Sequence, residues 1–379
     1  MKLYARSNQE GNDAEAIPAD LVHHFLLAVL TRPGTGLCFK DRGWYPRDIE
    51  GDEGAGRIKG VAKGQTKVFN KITSNILKNL RVGEDPRQQE LVLKVLVACP
   101  ELTSRQVAYL PPFSAKDNVI FSFWASAGLA LEPRLSSQWL INIAFSGTVV
   151  SLPVPEDCFR LLGSQDYNPT PPPLSAIVDS IFPGTWGKIY ITKGLQSIST
   201  LVQHSTAVCL ARVLEKFERV LQALRRVETI LLEDSGVGQW HLRIHELEEE
   251  VKRRVPNFEV IVTFSQQKSG VTWAPEHSKE YEARMGMISE IGLKLMWLYH
   301  QSLPSIPAEA RYDIGKLLFS PAGQQLIAES GDAKGLSSQA PSLVTLSQLH
   351  LLRLFHHSDQ FAWWTTFGEH SPSWYFVLS

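Results

Sequence analysis

Cysteine is scarce in this chain: Cys38, Cys99, Cys158 and Cys209 are the four in 379 residues, and no two form a CxxC pair. Spaced roughly fifty to sixty residues apart, they offer neither a zinc-ligand cluster nor a dense disulfide framework, and a reducing compartment, cytosol or nucleus, fits them best. Long apolar runs are missing too. No stretch approaches the ~18 apolar residues of a membrane span, and the N-terminal MKLYARSNQEGNDAEA lacks the apolar centre of a signal peptide. Membrane insertion and secretion are therefore not expected. An excess of one charge is absent as well: the net charge is −1, which gives no global pull toward nucleic acid or membrane. No GxSxG, Cys/His pair, paired-carboxylate cluster, Rossmann glycine fingerprint or GxxxxGK[ST] loop occurs at working spacing, so neither catalysis nor a cofactor is expected.

What is present is 44% hydrophobic content, enough for a large core in one extended array or two domains. The charge is also unevenly spread. Residues 32–81 carry eleven Lys/Arg against five Asp/Glu, a local excess of six. That segment opens with RPGTGLCFKDRGWYPR, Arg32 to Arg47, where Gly34, Gly36 and Gly43 break any periodic element. Trp44 and Tyr45 in such a loop either pin it to the protein body or present a surface to a partner, and pinning is the commoner role.

Helical periodicity dominates the rest. Residues 1–16 are polar and read as disordered. Pro18 to Leu30 is a helix with Val22, Phe25, Leu26 and Val29 on one face and His23 and His24 beside it. Asp48 to Lys63 has no period and reads as a surface loop. Thr66 to Val82 is amphipathic, with Phe69, Ile72, Ile76 and Leu80 on its apolar stripe and Lys67, Lys71 and Lys78 off it. A second helix starts with Asp85 as cap, Pro86 at the first position and Gln88 at capping-box spacing, and ends at Cys99-Pro100. Residues 103–121 have no helical period and read as an insertion, either a loop or a stretch of translated intron. Helix resumes over Leu135 to Val150, capped by Ser136 or Ser137. The PTPPP run at Pro169 to Pro173 is extended, as a connector between helices or, less often, a ligand for an aromatic groove. Leu174 to Phe182 is a short helix.

A second aromatic and basic loop, GTWGKIYITKG, holds Trp186, Lys188, Tyr190 and Lys193. A long helix then spans Ser197 to Glu233, its stripe formed by Leu201, Val208, Val213, Phe217, Val220, Leu224, Val227 and Leu231, with Gly236 and Gly238 ending it. His204 near its edge reads as a structural histidine. Trp240 to Val255 continues with Trp240, Ile244, Leu247, Val251 and Val255 buried; His241 and His245 have zinc-like spacing but lack the HExxH order and a third ligand. Phe258 to Phe264 has strand-like composition, yet helix is favoured because no partner strand is visible. Further helices are expected at Glu282 to Ser302, Pro307 to Phe319, Pro321 to Glu329 and Leu343 to His357. Together these predict an all-α chain, an α-solenoid of HEAT- or armadillo-like hairpins with long loops, although no strict repeat length is visible. A helical N-terminal domain over 17–255 would continue as an array over 256–379, where the closing WWTTFGEHSPSWYFVLS is aromatic enough to suggest that the array stops short of its next helices.

Several blocks resemble one family. GLCFKDRGWYPR, then EDPRQQELVLKVLVACPEL, LALEPRLSSQWLINIAFSGTVVSLPVP, PTPPPLSAIVDSIFP, ITKGLQS and LVQHSTAVCLARVLEKFERVLQALR occur in family order over roughly residues 21–230. They are similar to the ribosome-biogenesis family of nucleolar pre-ribosomal-associated protein one. The resemblance implies a non-enzymatic scaffold in early large-subunit assembly, located in the nucleus and nucleolus. Its implied partners are pre-ribosomal RNA of the large subunit and assembly factors, including other helical scaffolds and a DEAD-box helicase. Family members are far longer than this chain, which then reads as a fragment or an incomplete gene model. The candidate RNA or partner contacts are Lys40, Arg42, Trp44, Tyr45 and Arg47 in the first loop, Lys67, Lys71 and Lys78 on the basic helix, and Lys188, Tyr190 and Lys193 in the second loop. The alternative is a helical module that docks only proteins, which the near-zero net charge favours.

Overall fold

The computed structural model describes residues 18–32, 37, 76–77, 79–83, 85–98, 129–154, 159–161, 164–184, 186–233, 237–266, 279–310, 312–319 and 341–358. Among these residues the chain forms eleven α-helices and no strand. They are α1 (Pro18–Thr31), α2 (Pro86–Ala98), α3 (Ser137–Val150), α4 (Leu174–Ile181), α5 (Lys188–Leu195), α6 (Thr200–Leu231), α7 (Gln239–Arg254), α8 (Phe258–Gln266), α9 (Lys279–Ser302), α10 (Ser305–Ala310) and α11 (Pro341–His357), with a 3-10 turn at Ile314–Phe319. The expectation of an all-α chain holds. The expected insertion at 103–121, the expected helix at Pro321 to Glu329 and most of the one expected over Thr66 to Val82 lie outside the described residues; Leu77, Leu80 and Val82 are described and buried.

The chain divides into two compact units. The first takes Met1–Leu131, Ala144–Trp186 and Arg219–Glu250. In it α1 packs on α2, joined by Asp20 to Arg87 at 3.0 Å and by His23 Nε2 to Glu90 at 3.3 Å. Leu91, Val92, Val95 and Leu96 form the buried stripe of α2, whereas Phe25 of α1, expected on the core face, is 64% exposed. Asp85 caps α2 by accepting the Arg87 N–H at 2.9 Å. The reciprocal half of the expected capping box is replaced, because the Gln88 side-chain oxygen accepts the Arg81 N–H at 2.7 Å. Pro171 and Pro172 of the proline run are buried, which suits a connector and leaves those rings unavailable to an aromatic groove. Between α3 and α4 the chain makes one isolated antiparallel bridge, Arg160 with Tyr167, which periodicity did not reveal. Nearby, Trp240 is fully buried, meets Phe159 edge-on at 5.7 Å and donates its indole N–H to the Asn168 carbonyl at 3.2 Å.

The second unit takes Glu132–Ile143, Gly187–Glu218 and Val251–Ser379. Here α9 packs against both α8 and α11. The α8 contact is close because Gly292 has no side chain: a Cβ there would lie 2.8 Å from Ser265 Cβ and 3.0 Å from its Cα. Tyr299 is fully buried and donates its hydroxyl to the Pro256 carbonyl at 3.0 Å, while Phe258 packs on Tyr299, His300 and Tyr312. The strand-like FEVIVTFS is helix α8, since Phe258, Ile261 and Phe264 share a buried face. A single helix over Pro307 to Phe319 does not form. It splits into α10 and the 3-10 turn, and the Asp313 carboxylate accepts the Gly315 N–H at 3.0 Å and so starts a new turn.

In α6, Val213, Phe217, Val220, Leu224 and Val227 of the expected stripe are buried, but Leu201 is half exposed. Val202, Ala207, Leu210, Ala211, Leu214 and Leu221 are buried in addition, so middle positions of this helix are covered on most sides and a single stripe underestimates its core. The helix also ends before Gly236 and Gly238. Leu232 takes the left-handed conformation, φ 51°, and its N–H reaches the Thr229 carbonyl at 3.3 Å while the Glu233 N–H reaches that of Glu228 at 3.5 Å. That pair of bonds is a Schellman closure with leucine at the position glycine usually fills.

Candidate interaction surface

The sequence-predicted contacts fall into two groups. Lys40, Arg42, Trp44, Tyr45, Arg47, Lys67, Lys71 and Lys78 lie outside the described residues. Lys188, Tyr190 and Lys193 are described, and they sit on helix α5 instead of in a loop. The correction has a physical reason. Ile191 and Leu195 are buried, and Gly194 lets α5 lie close to α6, since a Cβ there would come within 2.8 Å of the Thr206 methyl. Tertiary burial thus overrides the weak helix propensity of Ile, Thr and Gly. Trp186 just before the helix is fully buried, an anchor and not a contact.

The three α5 residues do not form one patch. Five positions along a helix rotate a side chain by roughly 140°, so Lys188 and Lys193 point to different sides. Each has its own partner: the Lys188 ammonium donates to the Asn257 side-chain oxygen at 2.6 Å, and Lys193 pairs with Glu132 at 2.6 Å. The Lys193 hydrogen bond and charge hold the Glu132 carboxyl below its ordinary range. With both side chains more than half exposed, such a pair contributes little to stability and is exchangeable for a phosphate at small cost.

Histidines take structural positions. His241 Nδ1 lies 2.9 Å from Glu228, and His204 is held below the usual histidine range by burial, with the Glu290 carboxylate opposing the shift. Among the described residues no group of three His, Cys, Asp or Glu side chains is placed to hold a metal ion, and no helix is long and apolar enough to cross a membrane.

Sequence reasoning missed two assemblies. On the facing sides of α9 and α11, His350 stacks on Trp297 at 5.8 Å and 18°, the Arg353 guanidinium lies 4.8 Å over the same indole, and His350 Nε2 meets Glu290 at 3.0 Å. The signal was weak, because the His and Arg recur within a helix whose tryptophan partner lies on another element. The other assembly is the α6–α7 hairpin. Arg225 pairs with Glu248 at 3.0 Å, Glu228 with His241 at 2.9 Å, and the Glu233 carboxylate accepts the Trp240 N–H at 2.9 Å, so the two helices run antiparallel. At its tip Ile230 and Leu242 are each 52% exposed, Val237 is 79% exposed and Leu232 is 86% exposed.

The described residues thus define an all-helical protein whose charged groups pair at surfaces and in helix seams. Its relationship is then specific. Residues 1–142 match the family model described as "Npa1: Ribosome 60S biogenesis N-terminal". Nucleolar pre-ribosomal-associated protein 1 of Saccharomyces cerevisiae is 22% identical over 209 residues, covering 54% of this chain and 10% of the yeast protein. The mouse (Mus musculus) protein of the same name is 21% identical over 360 residues, covering 90% of this chain and 14% of the mouse protein. The family resemblance read from the sequence is thereby shown, and the chain spans a small part of the length of these relatives. No solved structure matches it.

Proposed function

We propose that this chain is a non-enzymatic scaffold in biogenesis of the large ribosomal subunit, working in the nucleolus as part of an α-solenoid that holds pre-ribosomal RNA and other assembly factors. The observation that carries this reading is the match of residues 1–142 to a 60S-biogenesis domain, the part of the chain that holds the basic excess. The name shared by the yeast and mouse relatives supports the nucleolar location. Arg42, Arg47 and the lysines at 67, 71 and 78 supply phosphate contacts in this reading, and Trp44 and Tyr45 offer stacking faces for unpaired bases.

Crosslinking of the expressed chain to RNA in growing cells, with a high-salt wash and sequencing of the recovered RNA, tests it. Large-subunit precursor RNA at a few discrete sites is the expected result. Recovery of assembly factors with RNA at background would move the assignment to a module that docks only proteins. One observation favours that second reading: the chain's net charge is close to zero, −1.

A further inference from the structure

Trp297 of α9 is the centre of a cluster that includes none of the contacts expected from the sequence. His350 stacks on it at 5.8 Å, the Arg353 guanidinium lies 4.8 Å over its ring and His357 meets it edge-on at 6.3 Å, while His356 meets His357 edge-on at 5.1 Å. These contacts join the five side chains into one continuous group within the second compact unit. Helical spacing agrees, because positions 353, 356 and 357 lie three and four apart on α11 and are surface neighbours. Arg353, His356 and His357 are exposed, and Trp297 is half-buried.

The acid of the group sits on its inner side. Glu290, with 16% of its side chain exposed, meets His350, which is 6% exposed. Among the described residues no carboxylate pairs with Arg353, His356 or His357, so the outer side presents a cation whose N–H edge faces no acid. Cations in a last helical turn also suit the helix dipole, yet the dipole requires neither an indole beneath the guanidinium nor two adjacent imidazoles. With one face of the guanidinium on Trp297, its other face is left for a base and its edge for a phosphate. His357 Nδ1 lies 2.9 Å from the Arg353 carbonyl. A carbonyl only accepts, so Nδ1 carries the proton, and in the neutral ring Nε2 is left as an acceptor. A ribose 2′-hydroxyl has a proton to give to such an acceptor. We propose that Trp297, Arg353 and His357 form a binding site for an unpaired nucleotide of RNA, with Arg353 holding the phosphate and stacking on the base, and His357 accepting the 2′-hydroxyl. An acidic peptide would use the cation but neither the flat faces nor the acceptor. The site lies outside residues 32–81, and it rests on the proposed function in taking RNA as the ligand.

The test is ultraviolet crosslinking of the purified full chain to a single-stranded oligouridine, with mass spectrometry of the nucleotide-bearing peptides. An adduct on α9 or α11 is expected, with a yield roughly tenfold lower in Arg353→Gln at unchanged helical circular dichroism. Arg353→Lys should also lower the yield, since an ammonium keeps the charge without the plane, and it carries the test if Arg353→Gln loses helical signal. Oligodeoxyuridine should compete less well than oligouridine in the parent chain and equally well in His357→Phe. No adduct on α9 or α11, a yield unmoved by the Arg353 variants, or equal competition by oligodeoxyuridine in the parent overturns the proposal. Equal competition by poly-glutamate also overturns it and makes the cluster a surface for acidic peptides. Adducts confined to residues 32–81 remove this site and keep the RNA reading. Adducts on α9 or α11 with none in 32–81 keep the site and remove the contacts assigned to Arg42 and Arg47.

Discussion

Leucine in a left-handed helix cap carries a steric cost of about 1–2 kcal/mol, from its Cβ against the following carbonyl. Leu232→Gly is therefore expected to raise the urea midpoint of the chain by an amount equivalent to about 1 kcal/mol, less the extra entropy glycine has when unfolded. A lower midpoint would mean that the Leu232 side chain is held by the hairpin. Cys209 gives a second residue-scale expectation. Full burial pushes its thiol up to about 12 from an ordinary value of 9.0, and burial also raises Tyr299 well above 10.0. Both groups bind their proton more tightly folded than unfolded. Their contribution is complete below pH 9 and is lost as pH rises from 9 toward 12, by up to tenfold in the folding equilibrium per pH unit for the thiol. Thermal melts across that range should show the decline, and Cys209→Ala should flatten its first part.

At the scale of the element, helix seams depend on a few polar closures within apolar contact. The Tyr299 hydroxyl joins α9 to the Pro256 carbonyl before α8, and Tyr299→Phe leaves that buried carbonyl without its donor. A loss of about 1–3 kcal/mol is expected by chemical denaturation. Gly292→Ala forces Cβ against Ser265 and should cost a similar amount, about 1–3 kcal/mol, through separation of α8 from α9. Both changes should leave the part of the α6–α7 hairpin within Arg219–Glu250 untouched, since that segment belongs to the other compact unit. Hydrogen exchange resolved by segment would detect any departure from that.

For the whole molecule, the near-neutral charge and the basic N-terminal segment lead to an expectation about salt. Arg42→Glu together with Arg47→Glu should weaken RNA retention in cells without loss of helical circular dichroism, and retention by the parent chain should fall steeply as salt rises. Unchanged retention would favour protein docking alone, and loss of helical signal would make the loop a structural anchor. The first result is read from the crosslinking experiment and the second from circular dichroism of the purified variant.

The sequence by itself determined the helices that bury one clear face: α2 and α7 stand close to where apolar spacing put them, α9 lies close to its expected bounds, and Ser136 accepts the Trp139 N–H at 3.2 Å as the expected cap of α3. It also carried the family resemblance, because six idiosyncratic blocks occur in family order. It could not place α5, whose Ile, Thr and Gly content argues locally for a loop; burial of Ile191 and Leu195 and the close approach at Thr206 decided that. Nor could it find the end of α6. Glycine signals lay at 236 and 238, but the backbone turned at Leu232, where the closure is fixed by hydrogen bonds to Glu228 and Thr229. Surfaces were the least legible of all. Whether an apolar or charged side chain faces a neighbour or solvent depends on elements distant in the chain, and local periodicity carries no record of them. Lys188 and Lys193, expected as partner contacts, also meet Asn257 and Glu132 within the chain, and the exposure of Leu232 showed itself only in three dimensions.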